Sequence, residues 1–232
     1  MFPLGTTRKV ARTPVVTLGL IAVNVLVFLW QTTLSTPELR QLYQQAAFIP
    51  CQANLFGPET YIDAFRAMFL HGGWTHLIGN MLFLYIFGPN VEEYFGRGRF
   101  LLFYLVAGYA ASFTHLLFNQ TVCAPSLGAS GAIYGIMGAF FLLYPATRIR
   151  TVTLFWRIPI GIGSVQAFYM LLYFFIVDFI NGIGSLSVDT TATTGVAFWA
   201  HIGGFLAGLV VTFFMLVIKP APPVDAFEYL DG

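Results

Sequence analysis

Long apolar runs alternate with short polar stretches along the chain, and the runs have the length of membrane spans. No charged side chain occurs between Arg12 and Glu38, Arg66 and Glu92, Arg99 and Arg148, Arg157 and Asp178, or Asp189 and Lys219. A helix needs about 20 predominantly apolar residues to cross a hydrocarbon core of about 30 Å. Four of these gaps accommodate one span each. The gap from Arg99 to Arg148 accommodates two, divided by a polar, proline-bearing stretch at 119–126. The pattern predicts six transmembrane helices, at 15–34, 74–95, 100–118, 130–144, 165–180 and 195–218.

The expected fold class is therefore all-α, a polytopic six-helix membrane bundle. Residues 1–14 form a short basic amino-terminal segment, 15–218 the helical domain, and 219–232 a tail with prolines and acidic residues that is expected to be unstructured. Residues 35–70 form a long connection carrying Phe56, Tyr61 and Phe65, rings that favour packing or an interfacial position. The segment 181–194, with its glycines, serines and threonines, is expected to cap the outer face, and the fifth helix, with Phe174 and Phe175, to act as a side gate.

Composition strengthens the membrane reading. The chain is 57% hydrophobic and 9% charged, against about 25% charged in soluble domains. The net charge of +1 gives no reason to expect a nucleic-acid partner, and the expected surroundings are membrane lipid. Orientation follows the bias of lysine and arginine toward the cytoplasm. With the amino terminus inside, Arg8, Lys9, Arg12, Arg97, Arg99, Arg148, Arg150, Arg157 and Lys219 are cytoplasmic and only Arg40 and Arg66 face outward. Both termini are then cytoplasmic in a multi-pass protein of the cell membrane. The first run is too long for a signal-peptide core and reads as a retained helix. Cys51 and Cys123 fall in outward loops, where a disulfide is possible; two free thiols are the favoured expectation.

The fourth helix is short. Its 15 residues rise only about 22 Å, so its first residue, Ser130, lies below the outer surface. A helix that begins inside the membrane leaves backbone N–H groups open, which is tolerable only beside protein or a wet cavity. An outward-facing cavity near Ser130 is expected.

Three of the four histidines, His71, His76 and His201, lie at that same outer level. His201 is in an early turn of the last helix, and an ionisable group inside a span is costly and functional by default. Gly204 and Gly208 share its face; Gly131, Gly135 and Gly138 line the helix that Ser130 begins. Small residues at four-residue spacing let helices approach closely, which offers a way to bring Ser130 to His201. A serine hydroxyl becomes nucleophilic when a base takes its proton, and neutral imidazole suits that task. The backbone N–H groups at the helix start, with His76 and Asn80 on one face of the second helix, can donate to an oxyanion. Tyr134, one turn below Ser130, is placed to stack on the His201 ring. No aspartate occupies an obvious orienting position, so a dyad is expected and not a triad.

Gly128-Ala-Ser-Gly131, Ala200-His-Ile-Gly-Gly204 and His76-Leu-Ile-Gly-Asn80 resemble the signature motifs of the rhomboid intramembrane serine proteases. Gly88, Glu92, Gly96, Phe100 and Tyr104 match that family's spacing across the second and third helices, and the resemblance covers roughly residues 61–210. It implies Ser130 as nucleophile and His201 as general base. It implies Asn80, His76 and the backbone at Gly128 and Ser130 as the oxyanion and substrate-stabilising groups, with Tyr134, Gly131, Gly204 and Gly208 supporting them. It further implies cleavage of single-span membrane proteins near their outer end, without metal or cofactor. Phe65-Arg66 stands where many members carry a tryptophan-arginine pair.

Three other readings compete. An inactive relative that binds membrane clients would have lost the serine or histidine, and both are present. A transporter or channel would place charges or broken helices at mid-membrane, and none is read there. A metal enzyme using His71, His76 and His201 would need nearby carboxylates or an HExxH spacing.

Overall fold

Helices occupy every predicted apolar run. The computed structural model describes residues 2–155, 158–186 and 196–220. In order, the chain forms β1 (Phe2–Thr6), α1 (Val15–Gln31), α2 (Thr36–Ala46), a 3-10 turn (Pro50–Gln52), α3 (Pro58–Ala67), α4 (Trp74–Phe95) and α5 (Arg97–Phe118). It continues with α6 (Ser130–Leu143), β2 (Arg148–Phe155), β3 (Ile158–Gln166), α7 (Ala167–Ser185) and α8 (Phe198–Ile218). Helices α5, α7 and α8 are long and apolar enough to cross a membrane, whereas α1 and α6 are apolar but shorter. Helix α4 has 22 residues but carries Asn80, Pro89, Asn90, Glu92 and Glu93 among its apolar side chains.

Helix α6 is the centre of the bundle, lying against α4, α5, α7 and α8. Ten of its 14 residues are buried, on every side of the helix, as befits a helix apolar all round. Small residues set the approach. A Cβ on Gly131 or Gly135 would collide with Ala111 or Ala107 of α5. A Cβ on Gly138 would strike the Phe205 carbonyl of α8. In the other direction, Cβ atoms on Gly204 and Gly208 would strike the carbonyls of Gly131 and Gly135. Helices α6 and α8 therefore meet backbone to backbone. Helix α7 is the opposite case: only Ala167, Met170, Leu171, Asp178 and Gly182 are buried, while Tyr169, Tyr173, Phe179, Ile180 and Ile183 are exposed.

The all-α expectation needs correction at one end. Strands β1, β2 and β3 form an antiparallel sheet in that order, pairing Phe2 with Val152 and Ile149 with Val165. The basic amino-terminal segment thus contributes a strand, and α7 starts after β3 instead of at Val165. The β-branched residues of 149–153 favour a pleated, half-buried surface. Ile149 and Thr151 point into the protein while Arg150 is exposed, the alternation a strand requires.

The connection 35–70 is built from α2, the 3-10 turn and α3. Ser35 and Glu38 form a capping box at the start of α2, with Pro37 in its first turn. Phe48 and Ser126 exchange backbone hydrogen bonds of 3.0 and 2.8 Å. Beside them Cys51 and Cys123 form a disulfide, so the expectation of two free thiols is corrected. The Phe48–Ser126 pairing and the disulfide tie the connection 35–70 to the loop that leads into α6. At the opposite end Glu92, buried on α4, accepts from the backbone N–H groups of Val16 and Thr17 and from the Thr17 hydroxyl. It thereby satisfies open donors at the start of α1.

Of the expected outer cap, 181–185 belong to α7. Residues 187–194 and the tail from 221 lie outside the described residues.

Candidate active site

Ser130 is the first residue of α6, and the chain reaches it through a turn that only glycine adopts easily. Gly128 has φ +123°, in the region where L side chains are strained. Its N–H donates to the Ala67 carbonyl at 2.8 Å, tying the turn to the end of α3. Space is a second constraint. A Cβ on Gly128 would stand 2.6 Å from His76 Nε2 and 3.4 Å from Asn80 Nδ2. Both nitrogens of α4 therefore converge on the backbone two residues before Ser130.

His201, in the first turn of α8, closes the other side. Its Nε2 lies 2.8 Å from Ser130 Oγ. The Tyr134 ring stacks on the imidazole with centroids 4.1 Å apart and planes 9° from parallel. An aspartate stands beside His201, where none is read from the sequence. Asp178 Oδ2 of α7 lies 2.8 Å from His201 Nδ1. In the sequence Asp178 reads as the polar end of an apolar run within the helix expected at 165–180; α7 continues through Ser185.

The donors beside Gly128 are held by a second set of contacts. The Gly72 N–H points at His76 Nδ1 at 3.4 Å, which leaves Nε2 as the protonated nitrogen facing Gly128. The Asn80 amide donates to His71 Nε2 at 3.0 Å. Gln31 fixes His71 in turn, accepting from its N–H at 3.1 Å and donating to its carbonyl at 3.0 Å. Tyr43 donates to the same carbonyl at 2.9 Å. His71 precedes α4, and burial, aided by the neighbouring His76, pushes its imidazole down to about 4. It is neutral at physiological pH and able to accept from Asn80. Of the three histidines expected at one level, His201 faces Ser130, His76 faces Gly128, and His71 supports Asn80. The fourth, His115 on α5, is buried and lines the same space.

These groups surround a cavity of about 920 Å³ with Ser130, His201, His76 and Asn80 on its walls and Phe174 of α7 at its side. Among the described residues no group of three His, Cys, Asp or Glu is arranged to hold a metal ion.

The family model described as Rhomboid domain matches residues 58–218. The chain belongs to the rhomboid family. Residues 58–218 contain Ser130, His201, Asn80, His76 and Asp178, so the rhomboid match spans the whole cluster. The chain is 36% identical over 158 residues to the rhomboid protease GluP of Bacillus subtilis, covering 68% of this chain and 26% of that one. It is 35% identical over 152 residues to RHOMBOID-like protein 6, mitochondrial, of Arabidopsis thaliana, covering 65% and 42%. Rhomboid protein 1, mitochondrial, of Saccharomyces cerevisiae is 30% identical over 156 residues, covering 65% and 41%. The chain thus spans less than half the length of these rhomboid relatives. Rhomboid membership and the long apolar helices together make it a membrane protein.

Proposed function

We propose that this chain is an intramembrane serine endopeptidase that hydrolyses peptide bonds in or near the single transmembrane span of other proteins. One observation carries the reading: the 2.8 Å contact between Ser130 Oγ and His201 Nε2, at the wall of a cavity that His76 and Asn80 also line. In this reading α1, α4, α5, α6, α7 and α8 are the six spans, in the cell membrane. The nine-to-two bias of basic residues supports cytoplasmic termini, and the Cys51–Cys123 disulfide supports an oxidising space on the cavity side.

The reaction follows from the atoms present. The Ser130 hydroxyl donates to His201 Nε2, which takes the proton as Oγ bonds to the carbonyl carbon. The carbonyl electron pair moves onto oxygen, where the Ser130 backbone N–H, His76 Nε2–H and Asn80 amide donate to it. His201 then returns the proton to the amide nitrogen as the C–N bond breaks, leaving an ester on Ser130. A cavity water, deprotonated by His201, attacks that ester; the C–Oγ bond breaks as His201 returns the proton to Ser130 Oγ, and the acid product leaves as its carboxylate.

A fluorophosphonate probe tests the reading at the nucleophile. With EDTA present, mass spectrometry is expected to find one adduct, on Ser130, that is absent from His201→Ala. A protein that only binds membrane clients gives no adduct, and that result would overturn the proposal.

A further inference from the structure

We infer that Asp178 is a positioning residue of this site, holding His201 in the tautomer that accepts the serine proton, so that Ser130, His201 and Asp178 work as a triad built across α6, α8 and α7. The inference rests on the serine-hydrolase reading above and deepens it.

Asp178 is 8% exposed on a helix whose other buried residues are Ala167, Met170, Leu171 and Gly182. A carboxylate at such a place is costly unless it is paired. Among the described residues its ion-pair partner is the His201 imidazole, with Oδ2 2.8 Å from Nδ1. Among the described residues no arginine or lysine pairs with it. The Tyr134 ring lies flat on the imidazole. The imidazole is thus fixed on its face by the ring and at one edge by the carboxylate.

The direction of the hydrogen bond is decided by chemistry. An ionised carboxylate only accepts, so the ring proton of a neutral His201 is on Nδ1 and the Nε2 lone pair faces the Ser130 hydroxyl. In the other tautomer, Nε2–H would point at Ser130 and could take no proton from it. When Nε2 is protonated during attack, the positive imidazole keeps its Nδ1–H on Asp178, and no proton passes to the carboxylate. Among the described residues the other titratable groups around His201 are His76 on α4, His115 on α5 and Tyr134 on α6. None of them carries a negative charge at neutral pH, so none substitutes for Asp178.

A purely structural role, a tether between α7 and α8, predicts different behaviour. Asparagine has the shape of aspartate and can keep a hydrogen bond to His201, so a tether survives Asp178→Asn with kcat per folded molecule nearly intact. A positioning role does not survive. One end of the amide is a donor, and with its NH2 toward Nδ1 it enforces the wrong tautomer. The expected result is a fall in kcat of about 10²–10⁴ with KM changed by less than about threefold, and a parallel fall in the rate of fluorophosphonate labelling. A folded Asp178→Asn protein with kcat within about threefold of wild type overturns the inference, as does a loss explained by the unfolded fraction.

Should the variant fail to fold, NMR of the ¹⁵N-histidine-labelled wild-type protein decides. The His201 ring proton, assigned by its loss in His201→Ala, is expected on Nδ1 at neutral pH; a proton on Nε2 overturns the inference. This readout needs no turnover. Failure of the hydrolase reading itself appears elsewhere, as activity retained in Ser130→Ala or no activity in the wild type.

Discussion

Gly204 on α8 lies directly against the backbone carbonyl of Gly131 on α6, with no room for a methyl group between them. Ser130 is the neighbour of one and His201 is three residues from the other, so this seam sets the separation of the reacting pair. A backbone carbonyl cannot swing aside as a flexible side chain can. Gly204→Ala should cost about 1–3 kcal/mol of stability and lower kcat per folded molecule by at least about tenfold, because the Ser130–His201 contact weakens steeply with distance. Gly19→Ala, where a Cβ meets nothing within 4 Å, serves as the control and should leave both unchanged. Melting temperature and kcat measured on the two variants check this.

Asn80 donates to His71 and also faces Gly128, so catalysis and packing must be separated. A donor to the oxyanion strengthens only as charge develops, and its loss appears in kcat. Loss of one such donor costs about 10²–10³ in soluble enzymes. A smaller loss in Asn80→Ala, roughly 10–10²-fold, is expected here because His76 and the Ser130 N–H remain. Kinetics and melting of Asn80→Ala and Asn80→Asp in one detergent distinguish the two roles; a drop in melting temperature alone, with kcat per folded molecule unchanged, would remove Asn80 from the catalytic set.

The Cys51–Cys123 disulfide closes a loop across a sequence separation of 72 residues. In the chain-entropy account, a loop of that size stabilises by about 4 kcal/mol, with measured values commonly lower. The paired Cys51→Ser, Cys123→Ser variant should melt at a lower temperature while keeping kcat per folded molecule, since neither sulfur lines the cavity. A shift in gel mobility on reduction checks that the bond forms.

Helix α7 is the loosest wall of the cavity, and Phe174 packs edge-on against Phe83 of α4 with ring centroids 5.6 Å apart. A disulfide cross-link between cysteines at 83 and 174 should block a full transmembrane substrate and leave fluorophosphonate labelling of Ser130 in place. Unimpaired cleavage in the cross-linked protein would put the side gate elsewhere.

What was legible in the sequence follows from the range of each interaction. Helices were readable because the apolar runs are continuous, and the pairing of Ser130 with His201 because glycines at helical spacing mark which faces meet. The strand Phe2–Thr6 was not, because its partner is Arg148–Phe155, far along the chain. Nor was the disulfide, whose two ends converge only when the 3-10 turn Pro50–Gln52 packs against the loop after α5. Asp178 is the instructive miss. Its carboxylate reads as the polar end of a span, and only the packing of α7 on α8 brings it to His201. The capping box at Ser35 and Glu38 is a local sequence signal for α2.

The central claim is that Ser130, activated by His201, cleaves membrane-embedded peptide bonds. Its most direct test is cleavage of a single-span reporter co-reconstituted in liposomes with wild-type protein or Ser130→Ala, with EDTA present throughout. Wild type should yield two fragments cut near the outer end of the span, and Ser130→Ala, equally folded by its melting temperature, should be slower by at least about 10³-fold. Cleavage by Ser130→Ala at a rate close to wild type, or activity of the wild type abolished by EDTA, would contradict the account.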